Sequence, residues 1–407
     1  MSKIKKRILF AGAYGIENAG DDLPLIVMCE YLKNNYPKID FTFHAFSRHP
    51  NRQEEKAYGV TMIKNLEYNS RDDAKGKWFK GLNFGDDKSD LERISKEISK
   101  SDLLILGAGN FFIDLTIDIF RGPIPLFAIY IFIAKIFHVP VMLYGISAGP
   151  IKTTWGSYLT RWIVENVDIV TVRDEESKIV LEKILYTPKK IVVLPDSTIG
   201  VRENNDRRAI TILEQESIPK TGKKRIAIGL RDLTSVLGAD KSKKATLELA
   251  KLLSKLGQEY EFIFIPQSTY KDDDDRVTAA NFVTLLKGNV TYHLIKGRYD
   301  PRDIISLYST CEATLAIRLH AAVFSAIGGT PVVAINYLPK VEGFMSSISQ
   351  KKFLVNMNDV SANHLERKIR ALLNEKRSIS KTIYKKLSKK KKEAVTYSKL
   401  AYSLLKI

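Results

Sequence analysis

The chain has 407 residues, of which 44% are hydrophobic and 27% are charged, a balance typical of soluble globular proteins with more than one domain. Lysine and arginine exceed aspartate and glutamate by 64 to 46, a net charge of +18, so we expect anionic partners such as phosphorylated substrates, nucleic acid or a membrane surface. The two cysteines, Cys29 and Cys311, lie far apart in the chain, which argues against a disulfide framework and a structural zinc site.

Residues 1–200 alternate predicted strands and helices. Arg7–Ala11 is a predicted strand that ends in a glycine-rich turn at Gly12 and Gly15, and a helix is expected to follow Asp21 and Asp22 and to run toward Lys33. The polar segment 70–90 predicts a loop, whereas Pro123–Gly149 predicts a buried helix followed by a strand, because its apolar run is too interrupted to span a membrane. The other elements predicted here are the helix Leu91–Lys100 and the strands Asp40–Phe46, Leu103–Leu106, Val139–Ile146, Val167–Val172 and Ile191–Leu194.

Residues 201–222 are polar and contain Pro219 and Gly222, so they predict a linker, after which the alternation restarts. The next predicted strands are Arg225–Leu230, Phe262–Ile265, Ala313–Ile317 and Val332–Ile335. The predicted helices are Thr246–Leu256, Val277–Leu286, Pro301–Ser309 and Ala321–Ile327, with a pair of basic helices from Ala362 onward.

This order predicts the α/β fold class. Apolar strands separated by helices form parallel sheets that are covered on both faces. We predict two Rossmann-like, doubly wound domains facing a cleft, residues 1–200 and 223–360, followed by basic helices over residues 361–407. Ligands of such sheets bind at the loops after the carboxyl ends of the strands, so residues on those loops are the candidates for a site.

The first candidate segment is AGAYGIENAGDD, Ala11–Asp22. A strand followed by glycines and a helix start can present backbone N–H groups to an anion, and the expected contributors are Gly12, Gly15, Asn18 and Asp21. The segment has neither the GxGxxG spacing nor the GK[ST] ending of a P-loop. Tight turns with Asp21 as the helix N-cap are an equally open interpretation.

The second candidate segment is LGAGNFFID, Leu106–Asp114. Gly109 lets a ligand approach the backbone closely, while Asn110 offers an amide and Asp114 offers a carboxylate. The alternative is a tight turn from strand to helix in which the Asp114 carboxylate is merely solvated.

The third segment, Ala316–Lys340, carries the strongest pattern. An apolar strand delivers Arg318 and His320 to the start of a helix, where the helix dipole favours an anion. Arginine offers a planar fork for phosphate or carboxylate, and histidine transfers protons near neutral pH. We predict that Arg318, His320 and Lys340 are catalytic and that Leu319 contributes to the substrate pocket.

Two further arginines follow predicted strands, at the position where ligands bind in open α/β sheets. We predict Arg173 as catalytic and Arg231 as substrate-binding, with an ion pair to the adjacent Asp174 or Asp232 as the alternative. The four consecutive aspartates at 272–275 are expected to cap the following helix rather than to bind a metal.

Taken together, these segments resemble the polysaccharide pyruvyl transferase family, over about residues 8–345 and in the family's order. The opening pattern of that family is similar to G-x-x-G-x-x-N-x-G-D, which Gly12, Gly15, Asn18, Gly20 and Asp21 match here. The other segments that carry the resemblance are LLILGAGNFFID, YGISAGPI, VTVRDEES, LPDST and RLHAAVFSAIGGTPVVAINYLPKV.

The resemblance implies two Rossmann-like domains similar to GT-B glycosyltransferases, with the acceptor on the first and the donor on the second. It implies that phosphoenolpyruvate is the donor and that a sugar of a cell-surface glycan, or of its lipid-linked precursor, accepts the pyruvyl group as a ketal. Essential basic residues are implied at Arg173, His320 and Lys340, with Arg318 at the donor. In this scheme Asp21 or Asp114 orients the acceptor, and no cofactor or metal is expected.

Two other functions remain open at this point. A nucleotide-sugar glycosyltransferase of similar fold would need an acidic residue to grip a ribose, for which Glu312 and Glu342 are candidates. A non-enzymatic sensor or scaffold for polyanionic glycans would use the net positive charge.

The expected location is cytoplasmic. The sequence has neither a signal-peptide pattern nor a recognised nucleic-acid-binding module. The lysines between Lys385 and Lys392 predict either a solvated helix face or peripheral contact with the anionic inner face of the membrane.

Overall fold

The computed structural model describes residues 3–66, 90–114, 122–202 and 206–406. Residues 70–89 of the predicted polar loop therefore lie outside the described part of the chain. The chain divides into two compact units. Unit 1 comprises Met1–Ile16, Asp21–Gly200 and Lys391–Ile407, and unit 2 comprises Glu17–Gly20 and Val201–Lys390.

Unit 1 is built on a parallel sheet. Its strands are β1 (Ile4–Tyr14), β2 (Ile39–Ser47), β3 (Thr61–Lys64), β4 (Leu103–Phe112), β5 (Val141–Ala148), β6 (Ile169–Val172) and β7 (Ile191–Val193). Their order in the seven-stranded sheet is β3-β2-β1-β4-β5-β6-β7. The helices are α1 (Ala19–Asn35), α2 (Arg52–Tyr58), α3 (Asp90–Ser99), α4 (Pro123–Ile136), α5 (Thr154–Asn166) and α6 (Glu175–Ile184).

Unit 2 repeats the arrangement with a six-stranded parallel sheet. Its strands are β8 (Lys224–Gly229), β9 (Tyr260–Phe264), β10 (Tyr292–Leu294), β11 (Ala313–Ala316), β12 (Val332–Asn336) and β13 (Leu354–Asn356), in the order β10-β9-β8-β11-β12-β13. The helices are α7 (Asp206–Gln215), α8 (Thr234–Leu237), α9 (Ala239–Leu256), α10 (Asp275–Val283), α11 (Pro301–Ser309), α12 (Leu319–Ile327), α13 (Pro339–Ser347), α14 (Ala362–Asn374) and α15 (Lys376–Ala394). The last helix, α16 (Thr396–Ser403), belongs to unit 1.

The core of unit 1 follows from the apolar character of its central strands. β5 is buried along its whole length and β4 at every position except Asn110, as expected for strands covered on both faces. Side chains of α3, α4, α5 and α6 share one hydrophobic cluster with these strands, including Ile94, Phe127, Ile163 and Leu181. The prediction that Pro123–Gly149 forms a buried helix followed by a strand is therefore confirmed. Among the described residues no helix is both long and apolar enough to cross a bilayer.

The two predicted glycine-rich turns begin later than predicted, because the strands continue through their first glycines. β1 extends past Gly12 to Tyr14, and β4 extends past Gly107 to Phe112. A Cβ on Gly12 would lie 2.6 Å from the carbonyl oxygen of Gly107, and a Cβ on Gly107 would lie 2.2 Å from that of Tyr144. These glycines allow close approach of neighbouring backbone.

Residues 201–222 differ from the predicted linker because they contain α7, which packs against α11 within unit 2. The predicted pair of basic helices is instead three helices, α14, α15 and α16. In unit 1, the Tyr397 hydroxyl on α16 donates a hydrogen bond to the carbonyl of Pro195 (3.0 Å), and Tyr402 stacks on Tyr36. These contacts attach the end of the chain to unit 1.

Candidate active site

The carboxyl ends of neighbouring strands in unit 2 define one edge of its sheet. β11 pairs in parallel with β8 on one side and with β12 on the other, and Ala316 lies opposite Gly229 and Ala334. The polar loops that follow these strands therefore begin at the same level, in the position where open α/β sheets bind ligands.

Two helices begin at this edge without side-chain caps. Arg318 is the N-cap of α12 and Leu338 is the N-cap of α13, and neither side chain accepts a hydrogen bond from the helix. The first turns of such helices leave N–H groups that need partners, and the helix dipole adds positive potential there. His320 and Lys340 are the second residues of α12 and α13, which pack against each other. The structure thus brings these two predicted residues to neighbouring helix starts.

The end of the opening motif is attached to the same unit. Asn18 forms an antiparallel bridge with Ser268, the Ala19 N–H donates to the Gln267 carbonyl (2.8 Å), and the Thr269 N–H donates to the Glu17 carbonyl (2.9 Å). Glu17 also pairs with Arg298 at 3.1 Å. Residues 17–20 are therefore held on the loop that follows β9.

Gly20 provides room for the imidazole of His320. A Cβ on Gly20 would lie only 1.9 Å from Nδ1 of His320, so a larger residue cannot occupy this position unless the ring moves. The Gly20 N–H donates to Oδ1 of Asn18 at 3.0 Å, and α1 begins at Ala19. The interpretation of Asp21 as the N-cap is therefore wrong, since Asp21 lies inside the first turn and Asn18 caps it.

Arg318 lies in a buried cluster of charged side chains. Its guanidinium is 8% exposed and contacts Asp275 (Nη2 to Oδ1, 2.6 Å; Nε to Oδ1, 2.8 Å) and Asp273 (2.9 Å). Burial opposes the charge, but these carboxylates outweigh it and raise the pKa of the guanidinium. Arg318 is thus engaged in a buried ion pair within unit 2, and its contact with the donor stays a prediction.

The Asp275 carboxylate connects this ion pair to the opening motif. It accepts hydrogen bonds from the N–H groups of Gln267 (2.9 Å) and Ser268 (3.0 Å), the residues that hold Asn18 and Ala19. The predicted capping role of the aspartate run is confirmed for Asp274, which accepts from the Arg276 N–H. In the described ranges no group of three or more His, Cys, Asp or Glu side chains is placed to hold a metal.

Arg231 borders a cavity of about 510 Å³ at the end of β8. Its guanidinium donates to the Tyr337 hydroxyl (3.2 Å) and lies 3.9 Å from Asp273, so the predicted alternative partner, Asp232, is replaced by Asp273. The cavity is lined by apolar side chains such as Leu249 and Phe282.

In unit 1, Arg173 is held among the ends of three strands. Its side chain is 10% exposed, donates to Oγ of Ser147 near the end of β5, and pairs with Asp196 after β7 at 3.1 Å. The predicted neighbour Asp174 lies farther away, at 4.0 Å, and caps α6 through the Ser177 N–H. Arg173 therefore occupies the predicted edge of the sheet but is already engaged in an internal ion pair.

Asp114 and Leu319 also differ from their predicted roles. The Asp114 carboxylate accepts hydrogen bonds from the N–H groups of Lys152 (2.7 Å) and Thr153 (2.6 Å), so it is neither solvated nor open to an acceptor. The side chain of Leu319 is buried in the core of unit 2.

Three other predicted site residues, Asn110, Gly109 and Gly15, also lie in unit 1. Asn110 is the exposed residue of β4, and its predicted role in substrate binding stays a prediction. Gly109 has φ +146° and packs beside the ring of Phe111, while Gly15 has φ +70° and packs against Ser47 and is a true turn residue.

The residues that connect the motifs are Glu17, Gln267, Ser268 and Asp275, and of these only Asp275 was named in advance, as part of the capping run. The available signal was their place in the chain, because Gln267 and Ser268 directly follow a predicted strand, as Arg318 does. Their pairing depends on contacts between segments about 250 residues apart, which no local pattern reveals.

We predict that Asp275→Asn lowers the free energy of unfolding by about 3–5 kcal/mol, because Arg318 would remain buried without its main counter-charge. Urea denaturation measures this, with Asp272→Asn on the exposed side of the same loop as the control. The double variant Asp275→Asn/Arg318→Met should recover part of the loss. Strictly additive losses in the double variant would show that the two side chains do not stabilise each other.

We predict that Asp114→Asn lowers stability by about 1–3 kcal/mol at neutral pH, because an amide replaces the acceptor of two backbone N–H groups. Burial raises the pKa of Asp114, but hydrogen bonds from Thr153 and Lys152 outweigh it and lower the pKa below its ordinary value of 3.8. The stabilisation is therefore complete above the ordinary pKa and is lost as pH falls through the lowered one.

The measurement for Asp114→Asn is thermal denaturation across acidic pH, with the exposed Asp40→Asn as control. The KM for acceptor should stay unchanged at temperatures where the variant is folded. A raised KM without a loss of stability would instead restore the acceptor-orienting role.

Comparison with known proteins places these features in one family. The profile of the family "Polysaccharide pyruvyl transferase" matches residues 18–339. That match begins after Gly12 and Gly15 and ends one residue before Lys340. A relative of known pathway, amylovoran biosynthesis protein AmsJ of Erwinia amylovora, is 22% identical over 325 residues, which cover 78% of this chain and 75% of that protein.

Several solved structures have a similar fold but low sequence identity to this chain. Alr3699/HepE of Anabaena in complex with UDP-glucose superposes with a TM-score of 0.60 at 12% identity, over 98% of this chain and 99% of that one. A UDP-forming α,α-trehalose-phosphate synthase of Burkholderia xenovorans gives 0.58 at 12% identity, over 98% of both chains. The UDP-GlcNAc 2-epimerase of Neisseria meningitidis gives 0.54 at 13% identity, over 98% of this chain and 99% of that one.

These likenesses confirm the predicted fold class, two Rossmann-like parallel-sheet domains of the GT-B type. The family match covers most of the chain and both units. Because that profile runs from Asn18 at the end of the opening motif through the His320 segment, and a polysaccharide-biosynthesis protein matches most of the chain, this protein belongs to the polysaccharide pyruvyl transferase family and is a transferase of polysaccharide modification.

Proposed function

We propose that this transferase moves the pyruvyl group of phosphoenolpyruvate onto two hydroxyls of a sugar in a cell-surface glycan, or in its lipid-linked precursor, as a ketal. The observation that carries the proposal is the pair of neighbouring helix starts without side-chain caps, one bearing His320 and the other bearing Lys340. Phosphoenolpyruvate has a phosphate and a carboxylate, and each is the kind of group that a helix N-terminus stabilises.

The reaction needs one group that transfers protons, and His320 is the proposed one. Protonation of the terminal methylene of phosphoenolpyruvate makes the central carbon electrophilic and turns the methylene into the methyl group of the product. A sugar hydroxyl then adds to that carbon and loses its proton. The C–O bond to phosphate breaks, inorganic phosphate leaves, and a second hydroxyl closes the ketal with loss of its own proton.

Lys340 and the N–H groups of the two helix starts are proposed to stabilise the charge that collects on the departing phosphate. Arg318 supports this arrangement indirectly, since its ion pair with Asp275 holds the loop on which residues 17–20 rest. On the acceptor side, Asn110 is the proposed contact, because its side chain lies at the carboxyl end of β4 and is exposed. No cofactor or metal enters this scheme.

No observation favours the nucleotide-sugar alternative for this chain. The two acidic residues considered for gripping a ribose are each in an ion pair, Glu312 with Lys376 at 2.8 Å and Glu342 with Lys351 at 2.7 Å. Some structural neighbours bind sugar nucleotides. Their low sequence identity to this chain limits the comparison to the fold.

We predict that His320→Ala reduces turnover roughly 100- to 10,000-fold, the usual contribution of a general acid or base. Affinity for phosphoenolpyruvate should remain within a few-fold of wild type, because Lys340 and the helix starts are unchanged. Phosphate release measures turnover, and calorimetric titration measures binding. His364→Ala, at the start of the distant α14, is the control. Unchanged turnover in His320→Ala would remove this residue from the chemistry.

We predict that Gly20→Ala lowers turnover roughly 100-fold, because the new methyl group would occupy the space of the imidazole and displace it. Gly343→Ala is the matched control, since a Cβ there meets nothing within 4 Å and alanine favours the helix by about 1 kcal/mol. Equal activity of Gly20→Ala and wild type would mean that the position of the ring is unimportant.

A further inference from the structure

One face of unit 1 exposes an unusual set of large apolar side chains. They lie at the end of α4 and just beyond it, on α5, and in the segment after α6. The aromatic face consists of Phe132 (59% exposed), Ile136 (56%), Phe137 (45%), Trp155 (56%), Tyr158 (51%) and Tyr186 (80%). Scattered exposed apolar residues are normal on a protein surface, whereas a contiguous set marks a contact surface.

Direct contacts join the members on α5 to the segment after α6. The rings of Trp155 and Tyr158 meet edge to face with centroids 6.3 Å apart. The Arg161 guanidinium lies 5.3 Å from the centre of the Tyr158 ring and 3.7 Å from that of Tyr186. These residues therefore form one continuous strip of aromatic rings and a cation.

The same segment also contacts the end of α5. The Lys189 ammonium donates to the carbonyls of Glu165 (3.2 Å) and Val167 (2.5 Å). Burial lowers the pKa of Lys189 and Lys135 on α4 lowers it too, while the nearby carboxylates of Asp168 and Glu165 act in the opposite direction. Because α4 and α5 pack side by side on one core, the two parts of the aromatic face lie on neighbouring helices.

The charge on this face is mainly positive, although the exposed Asp168 lies near Lys189. Lys135, Arg161, Lys189 and Lys190 lie within or beside the aromatic face, and the segments 122–138 and 185–190 contain no acidic residue. On α5 the single acidic residue is Glu165, which is half-buried. On the neighbouring α6, Glu182 lies 4.0 Å from Lys178.

We propose that the aromatic face docks unit 1 on an anionic lipid membrane. Phenylalanine and isoleucine side chains enter the boundary between headgroups and acyl chains, and tryptophan and tyrosine favour the headgroup level. The surrounding cations are attracted by anionic lipids. A symmetric contact between two copies is disfavoured, because it would bring the same positive charges against each other.

The Lys-rich helix α15 is the other surface expected to meet the membrane. Its buried side carries Ile379, Ile383 and Leu387, while Lys385 and Lys386 are exposed beside Tyr384, which is 74% exposed. This helix offers charge with a single exposed aromatic ring, so it lacks the apolar side chains that anchor a protein at depth. Attraction by α15 and insertion by the aromatic face are therefore separable by mutation.

The test is co-flotation of the full chain with vesicles of phosphatidylcholine, with or without phosphatidylglycerol. We expect binding to the anionic vesicles, and Phe132→Ser/Phe137→Ser should reduce it roughly tenfold or more by removing the inserted side chains. Lys135→Glu/Lys190→Glu should reduce binding and weaken its dependence on salt. Val277→Ser/Tyr292→Ser, which alters exposed apolar residues of unit 2, should bind as wild type does.

A second measurement reports whether Trp155 enters the lipid bilayer. Brominated lipid should quench the fluorescence of the wild-type protein, and the conservative variant Trp155→Phe should lose most of that quenching while it still floats with the vesicles. Vesicle binding that is abolished by Lys385→Glu/Lys386→Glu and unaffected by Phe132→Ser/Phe137→Ser would overturn the proposal. A dimer that the phenylalanine substitutions dissociate, with no vesicle binding by the wild type, would also overturn it. Because these readouts are binding alone, they are independent of the proposed pyruvyl transfer.

Discussion

The buried ion pair between Arg318 and Asp275 is the contact on which the candidate site depends. Arg318 is the N-cap of α12, and Asp275 holds the N–H groups of Gln267 and Ser268, which in turn hold residues 18–19. Gly20 then packs on His320, the second residue of α12. Segments about 300 residues apart in the chain thus meet in a closed series of contacts. Breaking one charge of a buried pair is far costlier than replacing the pair, so this series is expected to be rigid.

The basic residues divide into those that hold the fold and those that lie at the candidate site. Arg318 and Arg173 are each nine-tenths buried and satisfied by carboxylates within their own unit. His320 and Lys340 lie at neighbouring helix starts, at the edge where parallel sheets place their ligands. An anion bound there would gain from the helix dipoles as well as from the side chains. The candidate site therefore does not include every arginine that follows a strand.

Much of the architecture was predictable from the sequence, because apolar strands separated by amphipathic helices specify parallel sheets. The helix Pro301–Ser309 was predicted with its correct limits, and the strand beginning at Ala313 ends one residue before the predicted Ile317. The glycine-rich ends of β1 and β4 were not, since glycine marks both turns and close strand contacts. For the site, the positions of His320 and Lys340 followed from strand ends, but the partners of Arg318 and Asp114 come from distant loops that only the folded chain brings near.

The proposed transfer of a pyruvyl group can be tested by incubating the protein with a panel of glycan acceptors in heavy water. The donor is isotopically labelled phosphoenolpyruvate in one set of reactions and a labelled UDP-sugar in the other. Mass spectrometry of the glycan should show the pyruvyl label, one deuterium in the new methyl group, and one phosphate released per ketal formed. A glycan that gains sugar from a UDP-sugar while phosphoenolpyruvate stays intact would contradict the claim.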